Sequence, residues 1–155
     1  MVKIVTGKIN SFKTTRLLKH YELHGLGDGF IAVKHMDNNL VKAYDLVRLS
    51  DKLTIPYIIR DIYDTNEEEI VYQLGPYRFY KSTQDFVEKA IDDFIEKKIS
   101  PVYLDEISLL ELNNQGYHKV LTKLLDMKID LVLVIREDLL KKVIDKYQIK
   151  EYEII

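Results

Sequence analysis

The chain has no cysteine. Disulfides and thiolate metal sites are therefore excluded, and a reducing compartment suits it. No apolar run approaches the roughly 20 residues that a bilayer-spanning helix needs. The opening "MVKIVTGK" has too short an apolar stretch for a secretory signal. A soluble, cytoplasmic protein with no membrane partner is the expectation. Excess charge of one sign is also missing. The net charge is −2, so nothing draws the whole chain toward nucleic acid or an anionic surface. Glycine and proline are scarce, at 6 and 3 residues, and no linker, repeat or low-complexity tract divides the chain. What is present is an ordinary globular balance, 46% hydrophobic and 31% charged over 155 residues. That suits one domain spanning 1–155.

The apolar pattern predicts an alternation of strands and helices. "VKIV" (2–5) reads as a buried first strand, followed by a helix from about Lys13 to Leu23 that "HGLGDG" stops. "FIAVKHM" and "LVKAYDLVRL" flank "DNN", and "EIVYQL" and "YRFY" flank Gly75-Pro76, so two hairpins are expected. "STQDFVEKAIDDFIEKK" is a helix, with Ser82 and Asp85 in a capping-box pattern. "PVYLDE" (101–106) is a short strand opened by Pro101. Tyr117 to Met127 is a helix, "DLVLVI" (130–135) a strand buried on both faces, Leu139 to Tyr147 a helix, and "YEII" an edge strand. The predicted class is α/β, with a mainly parallel sheet, helices on its faces and antiparallel hairpin additions.

The stretch "VTGKINSFKTT" (5–15) sits between the first strand and the first helix. It carries a glycine, five residues, then lysine and threonine, the spacing of a phosphate-binding loop. In that chemistry, successive backbone N–H groups of Gly7, Lys8, Ile9, Asn10, Ser11, Phe12, Lys13, Thr14 and Thr15 cradle phosphate where the helix dipole favours negative charge. Lys13 neutralises terminal oxygens, and Thr14 offers a hydroxyl to Mg²⁺. Phe12 stands where the motif has its second glycine, and its ring points away from phosphate if the local φ is negative.

"VYLDE" supplies the second half of such a site. Apolar residues run into Asp105, which would hold Mg²⁺ from the strand's carboxyl end, while Glu106 would orient or deprotonate water. Ligands of open α/β sheets gather at that edge. Arg136 follows "DLVLVI" and so emerges at the same edge, making it the preferred cation for developing phosphate charge over Arg48, Arg60 and Arg78. Three other features are weaker. His20 and His24 share one helix face but lack a third metal ligand. Tyr77, Phe79 and Tyr80 around Arg78 either stack a base or fill a hairpin core. Glu111 is either a second site carboxylate or a solvent-facing residue between Leu110 and Leu112.

"LDEISLLEL" (104–112) resembles the D-E-I-G-x-M-E-L signature of the small P-loop nucleoside-triphosphatases related to cancer-related nucleoside-triphosphatase. Gly7, Lys13, Thr14 and Thr15 match that family's loop, G-x-P-G-x-G-K-T-T. "GFIAVKHM…VKAYDLV" and "GPYRFYKSTQDFVEKAIDDFIEK" are similar to its intervening strands and helix. Ile9, Asn10 and Phe12 replace the loop's Pro, Gly and Gly, while Ser108 and Leu110 replace the signature's Gly and Met. The resemblance implies a RecA-like P-loop fold, a three-layer sandwich, that hydrolyses ATP, GTP and related triphosphates with Mg²⁺. The lost glycines keep two alternatives open: a nucleotide-binding switch that signals to a protein partner, and a small-molecule kinase.

Overall fold

The computed structural model describes residues 1–155. In chain order the elements are β1 (Val2–Gly7), α1 (Lys13–His24), β2 (Asp28–Asp37), β3 (Leu40–Arg48), β4 (Thr54–Arg60), β5 (Ile70–Leu74), β6 (Tyr77–Tyr80), α2 (Lys81–Glu96), β7 (Val102–Ile107), α3 (Leu109–Leu112), α4 (His118–Asp126), β8 (Leu131–Arg136), α5 (Leu140–Tyr147) and β9 (Tyr152–Ile154). All nine strands form one sheet in the order β5-β6-β4-β3-β2-β7-β8-β1-β9. From β2 to β9 the neighbours run parallel, and from β2 to β5 they run antiparallel. The hairpins thus extend the parallel sheet sideways.

The alternation along β8 explains the layering. Leu131, Leu133 and Ile135 join a core with Val87, Ile91 and Phe94 of α2, Leu121 and Leu124 of α4, and Val143 of α5. Val132 and Val134 face the other way, onto Leu17 of α1, with Val5 and Tyr103. Successive strand side chains point to opposite faces, so this strand must be apolar throughout, and helices cover both faces. The result is a three-layer α/β sandwich.

Two details depart from the expected pattern. β4 was not anticipated, because Pro56 interrupts "TIPYIIR". Asp45 pairs with Pro56 and Tyr44 with Ile58, so the proline sits at a bulge where its missing donor is tolerated. The Ser82–Asp85 capping box does not form. α2 begins one residue earlier, with Tyr80 as an N-cap that makes no side-chain bond, and Asp85 instead accepts from Lys81 Nζ at 2.6 Å. The box appears at α3, where Ser108 and Glu111 cap each other.

Candidate nucleotide site

β8 lies between β1 and β7. The loop after β1 and the acidic end of β7 therefore face each other across one strand, at the carboxyl edge of the parallel sheet. Gly7 permits the loop to close. A Cβ there would lie 2.5 Å from Ser11 Oγ. Ser11 folds back instead, donating from its N–H (3.2 Å) and its hydroxyl (2.6 Å) to the Lys8 carbonyl. Lys13 Nζ donates to the same oxygen at 2.5 Å. One carbonyl thus holds both the loop and the lysine ammonium in place.

Asn10 and Phe12 both have φ of 60°. Left-handed residues alternating with ordinary ones are the backbone pattern from which anion-binding concavities are built, although the Ser11 N–H between them is already given to the Lys8 carbonyl. Phe12 also caps α1, its carbonyl accepting from Arg16 N at 3.0 Å. The condition of a negative φ, under which the Phe12 ring would point away from phosphate, is therefore not met. The residue adopts the backbone a glycine would take, at a cost of about 1–2 kcal/mol. Phe12 is 77% exposed, and Ile9 is 65% exposed.

Thr14, in the first turn of α1, donates its hydroxyl to Asp105 Oδ2 at 2.8 Å. The same oxygen accepts from Ala32 N at 3.0 Å. Asp105 is only 4% exposed, and both its partners are neutral groups. Burial pushes its carboxyl up to about 6, against the opposing pull of the Ala32 and Thr14 bonds; Glu106 adds to the rise and Lys13 reduces it. A hydroxyl and an under-compensated carboxylate at this separation are hard oxygen donors that suit Mg²⁺. Thr14 and Asp105 are thus the residues equipped to hold it.

Glu106 owes its place to a bulge. Leu104 pairs with Leu133 and Ile107 with Ile135, so Asp105 and Glu106 together oppose one residue of β8. Glu106 takes φ of 70° and is exposed at the edge, while Ile107 returns to the α2-side core. Strict alternation would have buried a glutamate there.

Arg136 pairs with Gly7 in the β1–β8 register, at the expected edge. Its Nε bonds Asp138 Oδ1 at 2.5 Å, so its charge is largely compensated. Arg48 is likewise held by Asp51 and Arg78 by Asp64. Arg60 has no carboxylate; it donates to the Val41 carbonyl (2.5 Å) and Tyr77 hydroxyl (3.2 Å). Arg16, unremarked in the sequence, braces the loop by donating to Thr6 O (2.8 Å) and Ile155 O (3.0 Å). No pattern marks it beyond its place just after Thr15.

Glu111 is not solvent-facing. It is 2% exposed, and its two oxygens accept from Ser108 N and Tyr117 N, each at 2.8 Å. Burial raises its carboxyl to about 7, with those N–H bonds opposing the rise. His20 and His24 stack at 4.0 Å. His20 bonds the Tyr103 hydroxyl and His24 the His20 carbonyl, and no three His, Cys, Asp or Glu side chains gather as a metal-ligand set. Phe79 is core, packed with Ile58 and Leu110. No helix is long and apolar enough to cross a membrane.

No protein-family model matches the chain, and no curated protein matches it. Two solved structures do. THEP1 from the hyperthermophile Aquifex aeolicus superposes with a TM-score of 0.71 at 13% identity, over 100% of this chain and 88% of that one. A human cancer-related nucleoside triphosphatase superposes with a TM-score of 0.65 at 17% identity, over 99% of this chain and 86% of that one. The chain therefore has the fold of these two proteins from end to end.

Proposed function

We propose that this chain is a Mg²⁺-dependent nucleoside triphosphatase, a single nucleotide-binding domain hydrolysing ATP, GTP or related nucleotides. One observation carries this reading. The Thr14 hydroxyl and the Asp105 carboxylate, far apart in sequence, meet at 2.8 Å at the start of α1, beside a loop with left-handed backbone at Asn10 and Phe12. The name of the human structural neighbour, a nucleoside triphosphatase, agrees with it.

Each residue has a role in that chemistry. The amides of residues 7–15 and the α1 N-terminus bind phosphate oxygens. Lys13 exchanges the Lys8 carbonyl for the β- and γ-phosphates. Thr14 and Asp105 would hold the cation, which would supply neutralisation of phosphate charge. Glu106 orients water and accepts its proton. Arg136 meets the developing γ-phosphate charge after letting go of Asp138.

A second reading is a nucleotide-binding module that barely turns over and signals to a protein partner. The exposed Phe12 and Ile9 on the loop favour it, since large apolar side chains gathered at a site mark contacts with other molecules.

Phosphate release from several triphosphates with Mg²⁺, beside equilibrium binding of a non-hydrolysable analogue, separates the two. Binding with turnover supports the hydrolase. Binding without turnover supports the module. Turnover that requires an added acceptor hydroxyl supports a kinase instead.

A further inference from the structure

The backbone at Glu106 is strained, since φ of 70° is uncommon for any residue but glycine, asparagine and aspartate. Such a conformation persists only when its surroundings over-determine it. The restraint begins two residues later. Ser108 N is held by Glu111 Oε1, and Tyr117 N by Glu111 Oε2, each at 2.8 Å. One buried carboxylate thus closes the whole loop from 108 to 117.

The carboxylate's own seat is enforced. Gly116 has φ of 63°, and a Cβ there would lie 2.1 Å from Glu111 Oε2. Gln84 of α2 donates to the Gly116 carbonyl at 2.9 Å. Tyr147 of α5 donates to the Glu111 carbonyl at 3.1 Å. Helices from the α2-side layer therefore anchor the loop from outside, and Glu111 ties it from within. A surface capping box needs none of this; exposed N–H groups are satisfied by water.

We propose that Glu111 is a positioning residue for Glu106: by tying Ser108 N and Tyr117 N together inside the fold, it keeps Glu106 in its left-handed conformation beside Asp105. Glu111 touches no reacting atom. A glutamine at 111 can accept only one of the two N–H bonds and sets its NH₂ against the other. Glu106 then relaxes toward ordinary strand geometry and spends less time placed for catalysis. The inference rests on the hydrolase reading.

The test is a double-mutant cycle of Glu111→Gln and Glu106→Gln, read as kcat, KM and analogue binding with Mg²⁺. Glu111→Gln is expected to lower kcat about tenfold or more while KM and analogue binding stay within about twofold, because phosphate binding uses the other loop. In the Glu106→Gln background the same change should cost less than about twofold, since a residue acting through Glu106 has nothing left to position. Equal losses in both backgrounds would overturn the proposal and leave a merely structural Glu111. An unchanged kcat in Glu111→Gln would overturn it too. If that variant does not fold, Tyr147→Phe, which frees the Glu111 carbonyl, replaces it in the cycle. A loss of a few fold that vanishes in the Glu106→Gln background supports the proposal, and its persistence there overturns it. A wild-type chain that binds analogue without releasing phosphate overturns the hydrolase reading and this inference together. Wild-type turnover with no kcat effect at 111 overturns the inference alone.

Discussion

Thr14 Oγ1 donates to Asp105 Oδ2 across 2.8 Å. That bond joins the first turn of α1 to the end of β7, and it is one of two hydrogen bonds that compensate the carboxylate, the other coming from the Ala32 amide. Removing the hydroxyl leaves the charge short of a donor. Thr14→Ala should therefore cost about 1–3 kcal/mol of folding stability at pH 7, measured by urea unfolding without nucleotide. The variant should also lose the ability of Mg²⁺ to tighten analogue binding.

Asp105→Asn should do the opposite to the empty chain. Burial holds the Asp105 carboxyl at about 6 against an ordinary 3.8, so keeping it ionised at pH 7 works against folding by up to about 3 kcal/mol. A neutral amide avoids that term. The variant should be about 1–3 kcal/mol more stable than wild type, raising Tm by about 2–4 °C per kcal/mol. Mg²⁺-dependent analogue binding should disappear. A variant less stable than wild type would show that the carboxylate is not under-compensated.

The same burial sets a pH dependence. Asp105 and Glu111 bind their protons more tightly in the folded chain than unfolded, at about 6 against 3.8 and about 7 against 4.5. Their contribution to stability is therefore full below about pH 4 and is lost as pH rises through about 6 and then about 7. Wild-type stability should fall across that window relative to the Asp105→Asn and Glu111→Gln variants, each of which should lack its own share of the slope. Urea midpoints collected between pH 4 and 8 measure this.

Phe12→Gly should relieve the left-handed strain at the loop. Stability is expected to rise by up to about 1 kcal/mol, the glycine's greater unfolded-state freedom offsetting part of the gain. Analogue binding should be equal or tighter. Weaker binding would mean that the exposed ring itself contacts the nucleotide.

The parallel half of the fold was legible because its physics is local. "LVLVI" (131–135) is apolar throughout because helices cover both of its faces, and the period of α1 and α2 survives in their buried stripes. The meeting of the candidate residues was legible too. Lys13, Thr14 and Asp105 are read by residue type and spacing, and the fold brings them to one edge. Three things escaped. β4 hides behind Pro56, whose bulge only the register with β3 reveals. The left-handed backbones at Phe12 and Glu106 carry no side-chain signal, because both are residues that rarely adopt them. Burial of Glu111 contradicts the usual exposure of carboxylates. Its one clue was Ser108-x-x-Glu111, a capping-box spacing that the apolar neighbours Leu109, Leu110 and Leu112 obscured.

Calorimetric titration of a non-hydrolysable triphosphate analogue into wild type and Lys13→Ala, with and without Mg²⁺, tests the site as a whole. Wild type should bind, more tightly with Mg²⁺, and Lys13→Ala should lose binding by about 30- to 140-fold while remaining folded, the loss of a charge-assisted phosphate contact being worth about 2–3 kcal/mol. Equal binding by both chains, or none by wild type, would contradict a triphosphate–magnesium unit held between residues 13 and 105.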